Sequence, residues 1–205
     1  MNEVRAILLD PDGVYWPDSY LVSAYNIIVA SIVGENPTAL TKVVEFDCAE
    51  GVNQVLPDDA IQFLRCPSNV TGQSIRQVSA EALQEDDDNW YGAPKTSQVL
   101  HAITDEYDPL RFRVYPPNDG TGAVFLQYAY TPADVTSLTE AFVLSGGYRM
   151  MIRNGTLGMA YALNTERQDL PKSQAYLALL DKAVLARIQS SGALLARSGA
   201  PTTTE

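Results

Sequence analysis

The residues whose types could support catalysis or metal binding are few and widely separated. The single histidine, His101, has no motif partner, and the two cysteines, Cys48 and Cys66, lack metal-ligand spacing. The sequence contains no G-x-S-x-G motif, no glycine-rich phosphate loop, no H-E-x-x-H motif and no paired cysteine motif. We therefore expect a packed or surface histidine and two buried thiols that act as small hydrophobic groups. We expect no catalytic residue, no cofactor and no metal site.

A run of four acidic residues, 85–88, precedes Trp90 and Tyr91. Carboxylates can bind a divalent cation, but this run lacks the ligand spacing and the central glycine of a calcium loop. The pattern favours a solvated acidic loop in which Trp90 anchors the chain to the core. The alternative is a small carbohydrate- or metal-binding module, or a hydrolase, that uses the acidic loop near Trp90.

The composition is that of a globular chain with one domain, or one domain with an insertion. Its 205 residues are 46% hydrophobic and 19% charged, and the formal net charge is −11. No apolar run approaches the roughly 18 residues of a membrane helix, and we see no signal peptide, so a cytosol-like compartment is the default expectation. An acidic surface binds DNA phosphates poorly, which suits either solubility alone or a protein that DNA must pass without being held.

The stretch 108–132 has the alternation of two half-buried strands. Phe112 and Val114 alternate with polar neighbours, and Val124 and Leu126 do the same further along. Between them, the loop Pro116–Gly122 contains residues suited to a reversal, so we predict a β-hairpin with a long loop. Further strands or extended pieces are predicted at 40–48, 54–57, 60–66, 74–78 and 99–104.

Helices are predicted on both sides of these strands. The first is short, 1–9, and the second begins at Pro17, buries Leu21, Ala24, Tyr25, Ile28 and Ile32 on one face, and ends near Gly34 and Pro37. Ser137 and Glu140 form a capping-box pattern for a helix that runs to about Leu163. A last helix begins after Asp169-Leu170-Pro171 and ends around 190–192.

This order predicts an α+β fold, a helical bundle built from the N- and C-terminal helices with an inserted β-rich middle region. The expected parts are N-terminal helices of the bundle (1–37), the β-rich insertion (38–133), C-terminal helices of the bundle (134–192) and a flexible C-terminal tail (193–205).

Two glycines, Gly155 and Gly158, lie in the interior of the predicted third helix. Each costs roughly 1 kcal/mol relative to alanine there, so the helix is expected to let another backbone approach closely. The sequence leaves two explanations open, a tight helix pair within the chain and a contact between subunits.

Several short motifs, in their order, resemble the head–tail adaptor (connector) proteins of short-tailed bacteriophages, over roughly Trp16 to Ile188. They are Trp16-Pro-Asp with Tyr25-Asn26, then Gln54-Val-Leu-Pro57-Asp-Asp-Ala60, then Asp108-Pro109 with Phe112-Arg-Val-Tyr-Pro116-Pro117, then Tyr130-Thr-Pro132. The resemblance implies a virion protein, made in the host cytoplasm, that forms a dodecameric ring beneath the portal protein. The ring would lie between the capsid vertex and the tail (nozzle or tail tube) protein, with DNA passing through it without specific binding and with no membrane involved. The resemblance supplies no catalytic residue.

From these patterns we expect partner contacts at the C-terminal segment, at two loops and, in the second of the two explanations above, at Gly155 and Gly158. The C-terminal segment is expected to dock against the portal, and the loop Pro116–Gly122 or the Trp90 loop is expected to face the tail-side partner. The candidate contact residues are Trp90, Tyr91, Asn118, Asp119, Gly155, Gly158, Arg197 and Pro201.

Overall fold

The computed structural model describes residues 2–139 and 144–198, with side chains described for residues 3–139 and 144–190. Among these residues the chain is mixed α+β, which confirms the predicted class. The helices are α1 (Asn2–Leu8), α2 (Asp18–Glu35), α3 (Ala80–Asp86), α4 (Arg149–Ala162) and α5 (Leu170–Ser198). The strands are β1 (Thr41–Asp47), β2 (Gly51–Val55), β3 (Ala60–Arg65), β4 (Arg76–Val78), β5 (His101–Thr104), β6 (Arg111–Asn118) and β7 (Ala123–Tyr130).

The chain divides into two compact units, Met1–Asn36 with Ala133–Glu205, and Pro37–Pro132. In the first unit, α1, α2 and α5 all pack against α4. The predicted face of α2 is buried as expected, because its apolar residues recur at helical spacing. Trp16, just before α2, is buried and its indole Nε1 donates a hydrogen bond to the Ala160 carbonyl at 2.7 Å. No helix of the described residues has both the length and the apolar composition of a membrane span.

The predicted start of the third helix is wrong. Helix α4 begins at Arg149, and residues 137–139 form a bend and turn, while Glu140 lies outside the described residues. The Asn26 side chain exchanges two hydrogen bonds with the Val135 backbone, at 3.0 and 3.1 Å, which holds that segment out of a helix. Two adjacent glycines, Gly146 and Gly147, add a further cost to helix formation there.

The predicted end of the last helix is also wrong. Helix α5 continues to Ser198, so residues 193–198, expected in a flexible tail, have helical backbone. The segment after Gly192 reads Ala-Leu-Leu-Ala-Arg, and these strong helix formers offset the cost of one interior glycine. Residues 199–205 lie outside the described part of the chain.

The second unit contains two sheets that share one hydrophobic core. The three-stranded sheet has the order β1-β7-β3, and the four-stranded sheet has the order β2-β6-β5-β4. Their inner faces contribute to the same buried cluster, in which the rings of Phe63 and Phe112 stack at 4.6 Å between centroids. The predicted strand regions 40–48, 60–66 and 99–104 correspond to β1, β3 and β5.

The predicted hairpin is wrong in its pairing, although both strands exist. Strand β6 pairs with β2 and β5, whereas β7 pairs with β1 and β3 in the other sheet. Alternating apolar residues fit a hairpin and a crossing between two packed sheets equally well, because both arrangements bury every second side chain. The prolines Pro116 and Pro117 lie within β6 rather than in the loop, at the level of a register irregularity in β2 between Gly51 and Asn53.

Candidate partner-binding site

Trp90 and Tyr91 have opposite surroundings in the structure. Trp90 is buried in a cluster with Val52, Leu83 and Ile103, which confirms its expected role as an anchor. Tyr91 is 55% exposed, and its ring lies 4.0 Å from the Trp90 ring, between centroids. Trp90 therefore holds the segment in place, and Tyr91 is the aromatic side chain that this segment presents at the surface.

One carboxylate of the acidic run next to Trp90, that of Asp87, is hydrogen-bonded within its own unit. Helix α3 ends at Asp86, and the Asp87 carboxylate accepts hydrogen bonds from the Tyr115 hydroxyl at 3.2 Å and from the Asn89 N–H at 3.0 Å. Burial, and then the Asp87 carboxylate, raise the pKa of the Tyr115 phenol. Within residues 2–139 and 144–198, no group of three or more histidines, cysteines and acids is placed to hold a metal ion.

Asn118 and Asp119 also differ in exposure. Asn118 is fully buried, and its Oδ1 accepts hydrogen bonds from the N–H groups of Gly120 at 2.8 Å and Gly122 at 3.2 Å. Asp119 is exposed, and hydrogen bonds from the hydroxyl and the N–H of Thr121 lower the pKa of its carboxyl. We call residues Asn118–Gly122 the Asn118 turn. Of the two predicted contact residues, only Asp119 presents a side chain at the surface.

The Asn118 turn depends on a glycine that the sequence pattern did not single out. A Cβ atom at Gly122 would lie 2.1 Å from the Ser97 carbonyl oxygen and 2.4 Å from the Asn118 Nδ2. The Gly122 carbonyl also accepts a hydrogen bond from the Cys48 N–H at 2.9 Å. The chain therefore passes between the two sheets at a point where only a residue without a side chain fits.

Gly155 and Gly158 contact helices of their own chain. A Cβ atom at Gly155 would lie 2.7 Å from Ile28 of α2, and one at Gly158 would lie 2.8 Å from Leu177 of α5. These short distances fit the first of the two explanations for the glycines, a tight helix pair within the chain. Helix α4 makes two such pairs, one with α2 and one with α5. Of the two C-terminal candidates, Arg197 has helical backbone in α5 but no described side chain, and Pro201 lies outside the described residues.

The nucleophilic and titratable candidates all lie in the second unit. Cys48 and Cys66 are buried and not disulfide-bonded, as expected, and burial raises the pKa of Cys48 to about 11 and also raises that of Cys66. His101 is half-buried in β5, with its ring stacked 5.9 Å from that of Tyr115. Burial and the nearby Arg76 charge lower the pKa of His101, which favours its neutral form. These groups form no nucleophile and base pair.

The first unit contains a further candidate surface, at a place where the sequence predicts only a turn. Residues Leu9–Trp16, the Asp10 loop, fold around the buried Asp10 carboxylate. It accepts hydrogen bonds from the backbone N–H groups of Val14, Tyr15 and Trp16 at 2.9 to 3.1 Å. The Arg5 guanidinium donates to the Asp10 carbonyl at 2.9 Å and to the Trp16 carbonyl at 3.2 Å, which closes the loop.

The Asp10 loop presents apolar side chains to solvent. Leu9 is 77% exposed and Val14 is 73% exposed, beside a groove of about 460 Å³ lined by Arg5, Ala6, Leu9 and Pro11. Leu9 has a φ of 53°, in the left-handed region that a leucine rarely adopts, and Arg167 donates hydrogen bonds to its carbonyl and to that of Leu8. The folded loop thus holds two large apolar side chains in water, and one of them borders the groove, which makes the Asp10 loop a candidate interaction surface.

The whole chain matches one known protein family. The family model described as SU10 adaptor protein matches residues 1–204, which includes the Asp10 loop, both sheets and all the motifs of the adaptor resemblance. No curated protein sequence matches the chain.

Proposed function

The chain belongs to the SU10 adaptor protein family, and from this premise we propose that it forms the ring that joins portal and tail and through which DNA passes. Membership confirms the resemblance to phage adaptors, so the protein is a structural adaptor of a bacteriophage virion. The ring, its twelve subunits and its place between the portal and the tail nozzle or tail tube are the proposal. The observation that carries it is a family match that extends over essentially the entire chain.

Charge and the positions of reactive groups support the same function. The formal charge of −11 gives DNA phosphates little to bind, so DNA can move past the subunits without being held. Among the described residues, the two thiols are buried, the neutral form of His101 is favoured, and Asp87 accepts a hydrogen bond within its own unit. This pattern is typical of a structural protein.

In this proposal the helices before and after the β-rich residues form one bundle, and the C-terminal segment, with Arg197 and Pro201, docks against the portal. The surface residues Tyr91 and Asp119 contact the tail-side protein, while Trp90 and Asn118 hold them in position from inside. Gly155 and Gly158 act within the bundle by letting α2 and α5 approach α4.

Imaging and mass measurement test the ring. The purified chain, alone and mixed with the portal protein of the same phage, is measured by mass photometry and negative-stain electron microscopy. We expect rings of identical subunits, either free or seated on the portal. A chain that stays monomeric and does not bind the portal at any tested concentration would contradict the proposal.

Two variants then test portal binding and tail binding separately. Deletion of 199–205, which leaves α5 intact, should weaken portal binding and leave tail binding unchanged. The double variant Tyr91→Ala with Asp119→Ala should weaken tail binding and leave portal binding unchanged. Tyr107→Ala is the matched control, because Tyr107 is 94% exposed in the same unit and is not part of the proposed contact.

A further inference from the structure

Strand β1 is an edge strand with one side unpaired. All seven residues, Thr41–Asp47, pair with β7 in an unbroken antiparallel register. On its other side β1 has no neighbouring strand among the described residues, because the sheet order is β1-β7-β3. Edge strands of this length and regularity are templates for an added strand.

The register identifies the backbone groups that are free. The Cys48 N–H donates to the Gly122 carbonyl at 2.9 Å, and the Leu40 carbonyl accepts from the Tyr130 N–H at 3.3 Å. Because backbone hydrogen bonding alternates along an antiparallel strand, the N–H and C=O groups of the even-numbered residues of β1 point toward β7. The N–H and C=O groups of Thr41, Val43, Glu45 and Asp47 therefore point away from β7, and they have no backbone partner among the described residues.

The other edge of the same sheet is covered. The Phe63 N–H of β3 donates to the Pro109 carbonyl at 2.9 Å, and the Leu64 carbonyl accepts from the Gln77 Nε2 at 3.1 Å. Strand β3 is also interrupted by two register shifts, which disrupt a regular edge. Within one sheet, therefore, one edge is blocked and the other is straight and open.

The side chains beside the open edge specify the chemistry of what could bind there. Val43 is 54% exposed, and Glu45 and Asp47 are exposed and make no ion pair with any described residue. In an antiparallel pair of two β1 strands, the residues opposite these acids would come only from Thr41, Val43, Glu45 and Asp47, and none of these is basic. A strand with basic side chains opposite Glu45 and Asp47 would instead be attracted to this edge.

We propose that β1 binds an extended, basic segment of the tail-side protein, which adds to the three-stranded sheet as a fourth strand. Main-chain hydrogen bonds to Val43 and Glu45 supply affinity, and the two acids select the basic segment. The inference rests on the proposed function for the identity of this partner, and on the structure for the edge and its chemistry.

Proline substitution tests the backbone bonds directly. Val43→Pro removes an N–H that points away from β7, so the intrachain ladder stays intact, whereas Val43→Ala removes the side chain and keeps the N–H. We expect Val43→Pro to weaken binding of the purified tail protein about tenfold, the equivalent of one backbone hydrogen bond. Val43→Ala should stay within about threefold. Glu45→Lys with Asp47→Lys should also weaken binding, and more at low salt than at high salt.

Hydrogen exchange of the wild-type chain gives a second readout that does not depend on how the proline variant folds. The amides of Val43 and Glu45 should exchange quickly in the free chain and slowly in the complex with the tail protein. A complex that forms while these amides stay fast, or a folded Val43→Pro variant that binds normally, overturns the docking edge but leaves the adaptor function standing. Protection in the chain alone would assign the edge to a second copy and also overturn the proposal. Absence of any tail complex would overturn both.

Discussion

Each unit contains a loop folded around one buried polar side chain, and the two loops are held by different forces. In the Asp10 loop, a carboxylate accepts three backbone N–H groups and lies 3.9 Å from the Arg5 guanidinium. In the Asn118 turn, an amide oxygen accepts two N–H groups, and the Asn118 Nδ2 has no hydrogen-bond partner among the described residues.

The Asp10 loop is stabilised by a charged hydrogen-bond acceptor, whereas the Asn118 turn is fixed by the lack of space around Gly122. Hydrogen bonds to an ionised carboxylate are roughly twice as strong as those between neutral groups, so the Asp10 loop can hold exposed apolar side chains in a strained conformation. The Asn118 turn has no such charge, and it is fixed by the close approach of Gly122 to the Ser97 carbonyl. The first loop should be sensitive to pH and to loss of the carboxylate, and the second to any added atom.

The largest expected effect is that of Gly122→Ala. The new methyl group would lie 2.1 Å from a backbone oxygen, so the chain would have to shift where β6 and β7 enter different sheets. We expect the free energy of unfolding to fall by about 3 kcal/mol, as measured by urea denaturation.

Gly120→Ala is the matched control for this substitution. Gly120 has a φ of 85°, but its Cβ atom would meet only ordinary contacts, the nearest at 3.5 Å from Glu50. Conformational strain alone should cost about 1 to 2 kcal/mol. Equal losses for the two variants would show that backbone strain, and not space, limits the Asn118 turn.

The next largest effect is expected for Asp10→Ala. The substitution leaves three backbone N–H groups without their acceptor in a buried position, and it removes the carboxylate that lies 3.9 Å from the Arg5 guanidinium. We expect the melting temperature to fall by roughly 5 to 10 °C. Asp12→Ala, which removes the same charge from an exposed position in the same loop, should change it by less than about 2 °C. A similar fall in both variants would mean that net charge, and not the buried hydrogen bonds, stabilises the Asp10 loop.

The two loops also show how far sequence reasoning reached. The turn at Asp10-Pro11-Asp12-Gly13, the buried face of α2, the anchoring role of Trp90 and the strand character of β6 and β7 all follow from local patterns. Local patterns could not show that the Asp10 carboxylate turns inward, because the same residues occur in solvated turns.

Strand pairing and close contacts between distant residues cannot be predicted from local sequence patterns for a related reason. The choice between a hairpin and two packed sheets depends on β1 and β2, which are remote in sequence from the alternating residues of β6 and β7. The exposure of Tyr91 and Asp119 and the burial of Trp90 and Asn118 are likewise set by distant partners such as Leu83 and Ser97. The adaptor family, in contrast, was recognised from the order of short motifs and confirmed by the match over residues 1–204.

The smallest expected effect, and the most specific, is the pH dependence of the Asp10 loop. Burial raises the pKa of Asp10, but hydrogen bonds from Trp16, Val14 and Tyr15 and the charge of Arg5 outweigh it, so the pKa lies below its ordinary value of 3.8. Because the pKa in the folded state is below that in the unfolded state, the carboxylate stabilises the fold fully above the unfolded pKa of about 3.9. This stabilisation is lost as the pH falls through the folded pKa.

Asp10→Asn should therefore lower the melting temperature most near neutral pH, and the gap from the wild type should narrow below about pH 4. Comparing the two proteins at each pH cancels the contributions of the other acids. Asn118→Ala is the counterpart in the second unit, and its gap from the wild type should be the same at every pH because an amide does not titrate. A constant gap for Asp10→Asn as well would mean that the two loops are held by the same kind of neutral hydrogen bond.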